Sequence, residues 1–344
     1  MPVRICDIGG WTDTRVAGHG EVVNFAVRPG VEVEVCLRLD GRGRRVVHAL
    51  DYGESFEVDA GWEVVPPGHR LLAAALDEVL VESRLPARAS VELTVCSRVP
   101  PGSSTGTSAA VAVALLGALD ALQVAPRPPA ELARLAHRLE TERLGQESGV
   151  QDQFASALGG VNDIAVSPYP EAVATPVALA PALWWELEQR FVLVFLGHSH
   201  GSSALHEKVI ADLGANGTST PALQALRRAA QTARASLEEG DIGRFGSAMV
   251  ACTEAQAELH ADLVSPLARQ SISVARTGSA TGWKVNGAGG EGGSLTILAG
   301  PGPGAKAKLL AALSELPGVS ATPVQLSADG LRVWDATPQW ERYP

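Results

Sequence analysis

Four short stretches of this chain concentrate residue types that do chemistry on charged groups. The first is PPGSSTGTSAA (residues 100–110), in which two glycines sit among five hydroxyl residues. Glycine lets the backbone approach a ligand closely and turn successive N–H groups toward one point. A helix starting near Ser108 adds its own unpaired N–H groups and the positive end of its dipole, and phosphate is the natural occupant. The loop is not a Walker A sequence, because Thr107 and Ser108 follow Gly106 with no lysine. Serine and threonine also cap helices, so the stretch alone reads equally as a capped turn before a core helix.

The second stretch, KVNGAGGEGG (284–293), holds five glycines in seven residues directly before a strand. Glycine carries an entropic cost, so the cluster serves a close approach of chain to chain or of chain to ligand, or else is a flexible hairpin loop. The third is LETERLGQESGVQDQF (139–154). Glu140 and Glu147 read as solvated helix-surface acids. Glu142 and Asp152 lie in more suggestive company, since near a phosphate cradle one carboxylate holds Mg²⁺ and another takes a proton from a hydroxyl. The fourth is VRICDIGGWTDT (3–14). If RICDI is a strand, Arg4, Cys6 and Ile8 share a face, and the bend at Gly9–Gly10 delivers Thr12 and Asp13 to its mouth. Arg4 then offsets phosphate charge and Asp13 binds hydroxyls; the plainer alternative is a surface Arg–Asp pair of little worth.

The elements that must position these residues follow from periodicity. Strands are expected at 22–27, 31–39, 44–50 and 90–99, with a helix over 69–83. Helices follow from Ser108 to about Leu122, from about Ala130 to Leu144, and over DQFASALGG. The Pro/Ala-rich stretch 167–185 reads as connecting strands and a linker, with a domain boundary near 180–190. A buried strand over 190–197, three helices, and a strand–helix–strand ending complete an α+β layering in both halves.

Bulk properties bound the function. A length of 344 residues suits two domains, 1–185 and 186–344. With 28 basic and 38 acidic residues the net charge is −10, which provides no footprint for nucleic acid or an anionic membrane. Cys6, Cys36, Cys96 and Cys252 have no paired spacing and read as free thiols in a reducing cytosol. The start MPVRICDIGG shows no signal-peptide pattern and no apolar run reaches membrane-spanning length, so a soluble, cytoplasmic protein is expected. The first motif begins almost at Met1, which suggests natural trimming or a late-assigned start.

Together and in this order, RICDIGGWTDT, PPGSSTGTSAA, GVQDQFASALGG and KVNGAGGEGG resemble the motifs of the GHMP kinases. GGWTDT, the VVN at 22–24 and QDQ are most similar to the sugar-kinase branch of L-fucokinases and D-glycero-D-manno-heptose 7-phosphate kinases. The resemblance implies a two-domain α+β fold: a ribosomal protein S5 domain 2-like N-terminal domain and a ferredoxin-like C-terminal one. It also implies ATP and Mg²⁺ as cofactors and phosphorylation of a hydroxyl, the anomeric one, of a sugar, by a monomer or homodimer. Carried over by position, Pro101, Gly102, Ser103, Ser104, Gly106, Thr107 and Ser108 cradle the ATP phosphates. Ser108 and Glu142 hold Mg²⁺, Asp152 is the base and Arg4 supports it. Asp13, Thr12, Gly10 and Gly289 meet the substrate.

The departures are Ser104, Thr105 and Thr107 where the family usually has Gly, Leu and Ser, and Glu291 inside the glycine run. LGHSHGSSALHEKVI (196–210) has no arginine where heptose-phosphate and fucose kinases tend to carry one after a Thr-Gly segment; an anionic substrate would want such a residue, which favours an uncharged sugar or polyol. His198, His200 and His206 have metal-like spacing, but no cysteine and no acid before Glu207 completes a set, so they read as facing solvent or substrate. The alternatives are a non-catalytic sugar and ATP sensor on the same scaffold, or a kinase of a polyol, inositol or other non-sugar acceptor.

Overall fold

A computed structural model of the chain describes residues 1–58, 65, 67–82, 88–100, 102–197, 202–216 and 218–336. One sheet has the order β1 (Val3–Ile8), β2 (Gly20–Arg28), β7 (Val161–Val166), β8 (Ala172–Pro176), and β13 (Gln325–Leu326) also lies against β2. A second has the order β3 (Val31–Arg38), β6 (Ser90–Ser97), β4 (Arg45–Ala49), β5 (Glu54–Glu57). The third has the order β10 (Gly282–Val285), β11 (Ser294–Leu298), β9 (Phe191–Phe195), β12 (Ser320–Pro323). The helices are α1 (Arg70–Glu82), α2 (Thr107–Asp120), α3 (Pro129–Arg138), α4 (Gln151–Leu158) and α5 (Pro181–Arg190). They continue as α6 (Ser202–Asn216), α7 (Pro221–Glu239), α8 (Ile242–Leu259), α9 (Pro266–Thr277) and α10 (Ala305–Ser314). The layering is α+β.

Most expected strands and helices are present. Three differences stand out. The stretch read as connecting strands and a linker holds, beyond the strand β8, a helix α5, which starts on Pro181 in the favoured first-turn position. The helix expected to end at Leu144 stops being α-helical at Arg138 and continues as one π-helical turn, Leu139–Arg143. The first strand does not alternate regularly: Ile5 faces Phe25 while Ile8 faces Val23, so Cys6 and Asp7 together oppose Asn24 and the strand bulges. Cys6 sits in the bulge with φ of 53°.

One apolar core fills the space beneath the β3–β6–β4–β5 sheet, where α1, α2 and α3 contribute Leu76, Leu115, Leu116 and Leu132. Another lies on the β9–β11 sheet with Leu309 and Leu313 of α10. A third joins the two halves. Its centre is Phe25 of β2, edge-on to Phe191 of β9 at 5.3 Å and to Phe245 of α8 at 5.6 Å, and each such pair adds about 0.5–1.5 kcal/mol beyond its area. That aromatic knot fixes β1 and β2 against α8 and β10. Among the described residues no helix is long and apolar enough to cross a membrane.

Candidate active site

Helix α2 starts on Gly106, at φ 72°, and no side chain caps it. The hydroxyls in front of it bond to one another instead: Ser103 Oγ lies 2.7 Å from Thr105 Oγ1, which is 3.3 Å from Thr107 Oγ1. Helices α7, α8 and α9 are capped by Thr220, Asp241 and Ser265, whereas α3, α4, α5 and α10, like α2, take no side-chain cap. The capped-turn reading of this stretch therefore fails. Gly102 and Ser108 are exposed, Ser103 and Thr105 are buried, and Ser104 holds a left-handed φ of 54° that glycine usually supplies. Pro101 lies outside the described residues.

Strand β1 runs beside this loop, and the Arg4 N–H donates to Thr105 O at 2.9 Å. The Arg4 side chain is buried and grips Asp152 with two bonds, Nε to Oδ1 at 2.7 Å and Nη2 to Oδ2 at 3.1 Å. Its Nη1 donates to Ser104 O. Burial opposes the guanidinium charge, but Asp152 and Asp7 more than offset this and raise its pKa. Asp152 stands in the first turn of α4, a quarter exposed. A Cβ on Gly106 would lie 3.1 Å from its Cγ and Oδ2. The carboxylate thus faces the open end of α2.

The two glutamates of the metal-ligand stretch lie in different surroundings. Glu142 is exposed, whereas Glu140 is buried and accepts from Ser108 Oγ at 3.3 Å, Ser148 Oγ at 2.9 Å and Gln153 Nε2 at 2.6 Å. Leu132, Ala136 and Glu140 form one buried stripe at four-residue spacing, and residue 142 falls away from it. That spacing is the signal that points to Glu140 in the sequence. Burial, with Asp152 adding to it against the donated hydrogen bonds, pushes Glu140 up to about 7. The Ser108 hydroxyl and the Glu140 carboxylate are hard oxygen donors that suit Mg²⁺, which ordinarily takes few protein ligands beside phosphate and water. Among the described residues no group of three acids, histidines or cysteines forms a metal cage. His198 and His200 lie outside the described residues, as does the side chain of His206.

A raised carboxyl pKa stabilises the fold below its unfolded value, and that contribution is lost as pH rises through the folded value. For Glu140 the loss spans about 4.5 to 7 and amounts to about 3 kcal/mol at most. Metal-free Glu140→Gln is therefore expected to melt above the parent at pH 8 and level with it near pH 5, which thermal unfolding at the two pH values checks.

The substrate-side candidates separate. Asp13 is buried, accepts the Gln151 N–H at 3.1 Å, and is pushed up to about 6, by burial first and by Asp152 second. The Thr12 hydroxyl donates to Gly9 O at 2.7 Å and accepts the Glu21 N–H at 3.2 Å, which locks the turn. Gly10 makes room for Asp7, whose Oδ2 would lie 2.5 Å from a Cβ there. Gly289 packs on Leu263 O, 2.2 Å from where its Cβ would be, and Glu291 is exposed. The glycine run is a chain-to-chain approach: a Cβ on Gly287 would meet Ser104 O at 3.0 Å, and one on Gly293 would meet Ser104 Oγ at 2.7 Å.

Two residues beside the site, Asp7 and Lys284, escape a reading of the sequence. Asp7, fully buried, accepts the Gly287 N–H at 3.0 and 3.1 Å and faces Lys284 Nζ at 3.7 Å and Arg4 Nη1 at 3.8 Å. Burial alone would raise its pKa, but Lys284, Arg4 and the Gly287 N–H together hold it below its ordinary value. An Asp next to a Cys in a regular strand points away from Arg4; only the bulge turns it inward.

Residues 70–160 match the GHMP kinases N terminal domain. The chain is 25% identical over 310 residues to the bifunctional fucokinase/GDP-fucose pyrophosphorylase of Arabidopsis thaliana, covering 86% of this chain and 29% of that protein. It therefore spans less than a third of that relative. It is also 25% identical over 245 residues to the D-glycero-alpha-D-manno-heptose 7-phosphate kinase of Campylobacter jejuni, covering 70% and 71% of the two chains. The galactokinase of Lactococcus lactis, solved with galactose, shares the fold with a TM-score of 0.71 at 17% identity, over 96% of this chain and 92% of that one. The chain thus carries a match to the GHMP kinases N terminal domain over residues 70–160 and shares its overall fold with a galactokinase.

Proposed function

We propose that the chain is an ATP-dependent kinase that phosphorylates a hydroxyl, the anomeric one, of a sugar or sugar derivative. The observation that carries this reading is the Asp152 carboxylate, held by Arg4, standing against the uncapped N-terminus of α2. The loop from Gly102 to Ser108 receives the ATP phosphates through its N–H groups. The acceptor hydroxyl gives its proton to Asp152, its oxygen bonds to the γ-phosphorus, and ADP leaves with the electrons of the broken P–O bond. Arg4 and the loop N–H groups stabilise the charge that develops on the transferring group. Ser108 and Glu140 are the residues that would hold Mg²⁺, which when bound neutralises charge on the phosphates. The named kinship to fucokinase, heptose 7-phosphate kinase and galactokinase supports a sugar as acceptor.

The test is ADP release measured across neutral hexoses, deoxyhexoses, heptoses, inositols, uronic acids and sugar phosphates, with phosphorus NMR of the product. A glycosyl phosphate from a neutral sugar is the expected product. Binding of sugar and nucleotide without ADP release over hours would instead identify a sensor.

Asp13 is assigned to the acceptor's hydroxyls, which its ionised form accepts. Protonation near pH 6 removes an acceptor oxygen, so kcat/KM for the sugar at saturating Mg²⁺ and ATP falls as pH drops below about 6, following the free enzyme's essential ionisation. Asp13→Asn lowers kcat/KM and flattens that limb. A limb unchanged in the variant removes Asp13 from the acceptor site.

A further inference from the structure

Resting on the kinase reading, we infer that Asp7 is a positioning residue for phosphoryl transfer, neutralised for that role by Lys284. Asp7 shares the charge of Arg4 with Asp152, and it ties the glycine loop of the second half to the first half's phosphate loop. The Asp7 and Lys284 side chains are 0% and 1% exposed, and their polar atoms are engaged within the protein. Lys284 uses its other donors on Gln256 Oε1, at 2.9 Å, and on Val285 O. Its charged neighbour is Asp7, at 3.7 Å.

Asp7 acts in two directions. On one side it faces the Arg4 Nη1 atom that also donates to Ser104 O, so it bears on the same guanidinium that holds Asp152. On the other side both of its oxygens accept the Gly287 N–H. Gly287 in turn sits where a side chain would strike Ser104 O and Arg4 Nη2. The Asn286 side chain completes the seam by accepting the Cys6 N–H at 2.9 Å. The strand bulges to present this carboxylate, and Cys6 holds an unfavourable left-handed φ there.

Stability alone is a poor reason for such a pair. A buried ion pair is often matched or bettered by apolar residues of similar volume, whereas removing one partner is strongly destabilising because the other charge stays buried. Asp7 and Lys284 come from different halves, and the Arg4–Asp152 bond lies directly beside them. The quartet Arg4, Lys284, Asp7 and Asp152 is charge-balanced, and Asp7 spreads the two positive charges so that neither is delivered wholly to Asp152.

The experiment compares Asp7→Asn, Lys284→Gln and the double variant in the full chain, by thermal melting and by steady-state kinetics with the sugar identified above. The amide in Asp7→Asn keeps an oxygen for the Gly287 N–H, removes the charge, and replaces one of the two acceptor oxygens, of which Oδ2 also takes the Gln151 Nε2 donor at 3.4 Å. This variant is expected to lower kcat about tenfold or more while both KM values stay within about threefold, the split expected when a transition-state interaction is lost. It also lowers Tm, because Lys284 is left unpaired. The double variant regains Tm but keeps the low kcat, since Arg4 still lacks its second carboxylate. Recovery of kcat together with Tm would show a merely structural pair and overturn the inference, as would parental kcat in Asp7→Asn. No turnover by the parent with any acceptor in the screen overturns the kinase reading itself, and this inference falls with it.

Discussion

Asp152→Asn is expected to lower kcat by about 10²–10⁴-fold, while calorimetry finds Mg²⁺·ATP binding within a few-fold of the parent. The two expectations diverge because the asparagine keeps the shape and one acceptor for Arg4 but cannot take a proton. The loop N–H groups that would receive ATP belong to the backbone, which the substitution leaves in place. A lower Tm accompanies the change, since Arg4 is 4% exposed and loses its charged partner. Asp7 at 3.8 Å remains to balance part of that charge, so the variant is expected to fold. Near-parental turnover would falsify the assignment of Asp152 as base.

The second large effect separates two glutamates two residues apart. Glu140→Gln is expected to weaken Mg²⁺ activation and lower turnover by about 10²-fold or more, since an interaction of several kcal/mol with the phosphates depends on the ion's place. Glu142→Gln is expected to leave turnover and Mg²⁺ dependence unchanged, because its carboxylate is in solvent. A titration of initial rate against Mg²⁺ at fixed ATP reads both. The reverse pattern would restore Glu142 as ligand and remove Glu140. Combined with the higher melting temperature expected for metal-free Glu140→Gln at pH 8, the variant gains stability while losing activity, as happens where a functional group is buried at a cost to the fold.

Several parts of the site are legible in the sequence for local reasons. Gly106 ahead of an apolar run, Asp152 in a short helix after Gly149, and Arg4 at the start of a strand all depend on residues within one turn or strand of themselves. Glu140 is also legible, through the stripe it shares with Leu132 and Ala136, although the usual solvation of acidic helix residues argues the other way. The role of Thr12 is not, because its hydroxyl partners, Gly9 O and the Glu21 N–H, belong to a turn and a neighbouring strand. The glycines at 287, 289 and 293 announce a close approach, but which chain segments they approach, Ser104 and Leu263, is seen only once the halves are in place.

By itself, the sequence determined the order of the four motifs, the α+β alternation and the residue types able to hold phosphate, metal and a proton. These depend on periodicity and on the short-range geometry of glycine, capping groups and helix ends. Only the tertiary structure decided which charged groups stand together. The bulge at Cys6 rotates Asp7 to the side of Arg4, and the aromatic knot of Phe25, Phe191 and Phe245 brings Lys284 and Gly287 across to meet it. Those contacts join residues about 280 positions apart. A one-residue change of register exchanges the faces of a strand, so no local pattern could have placed them together.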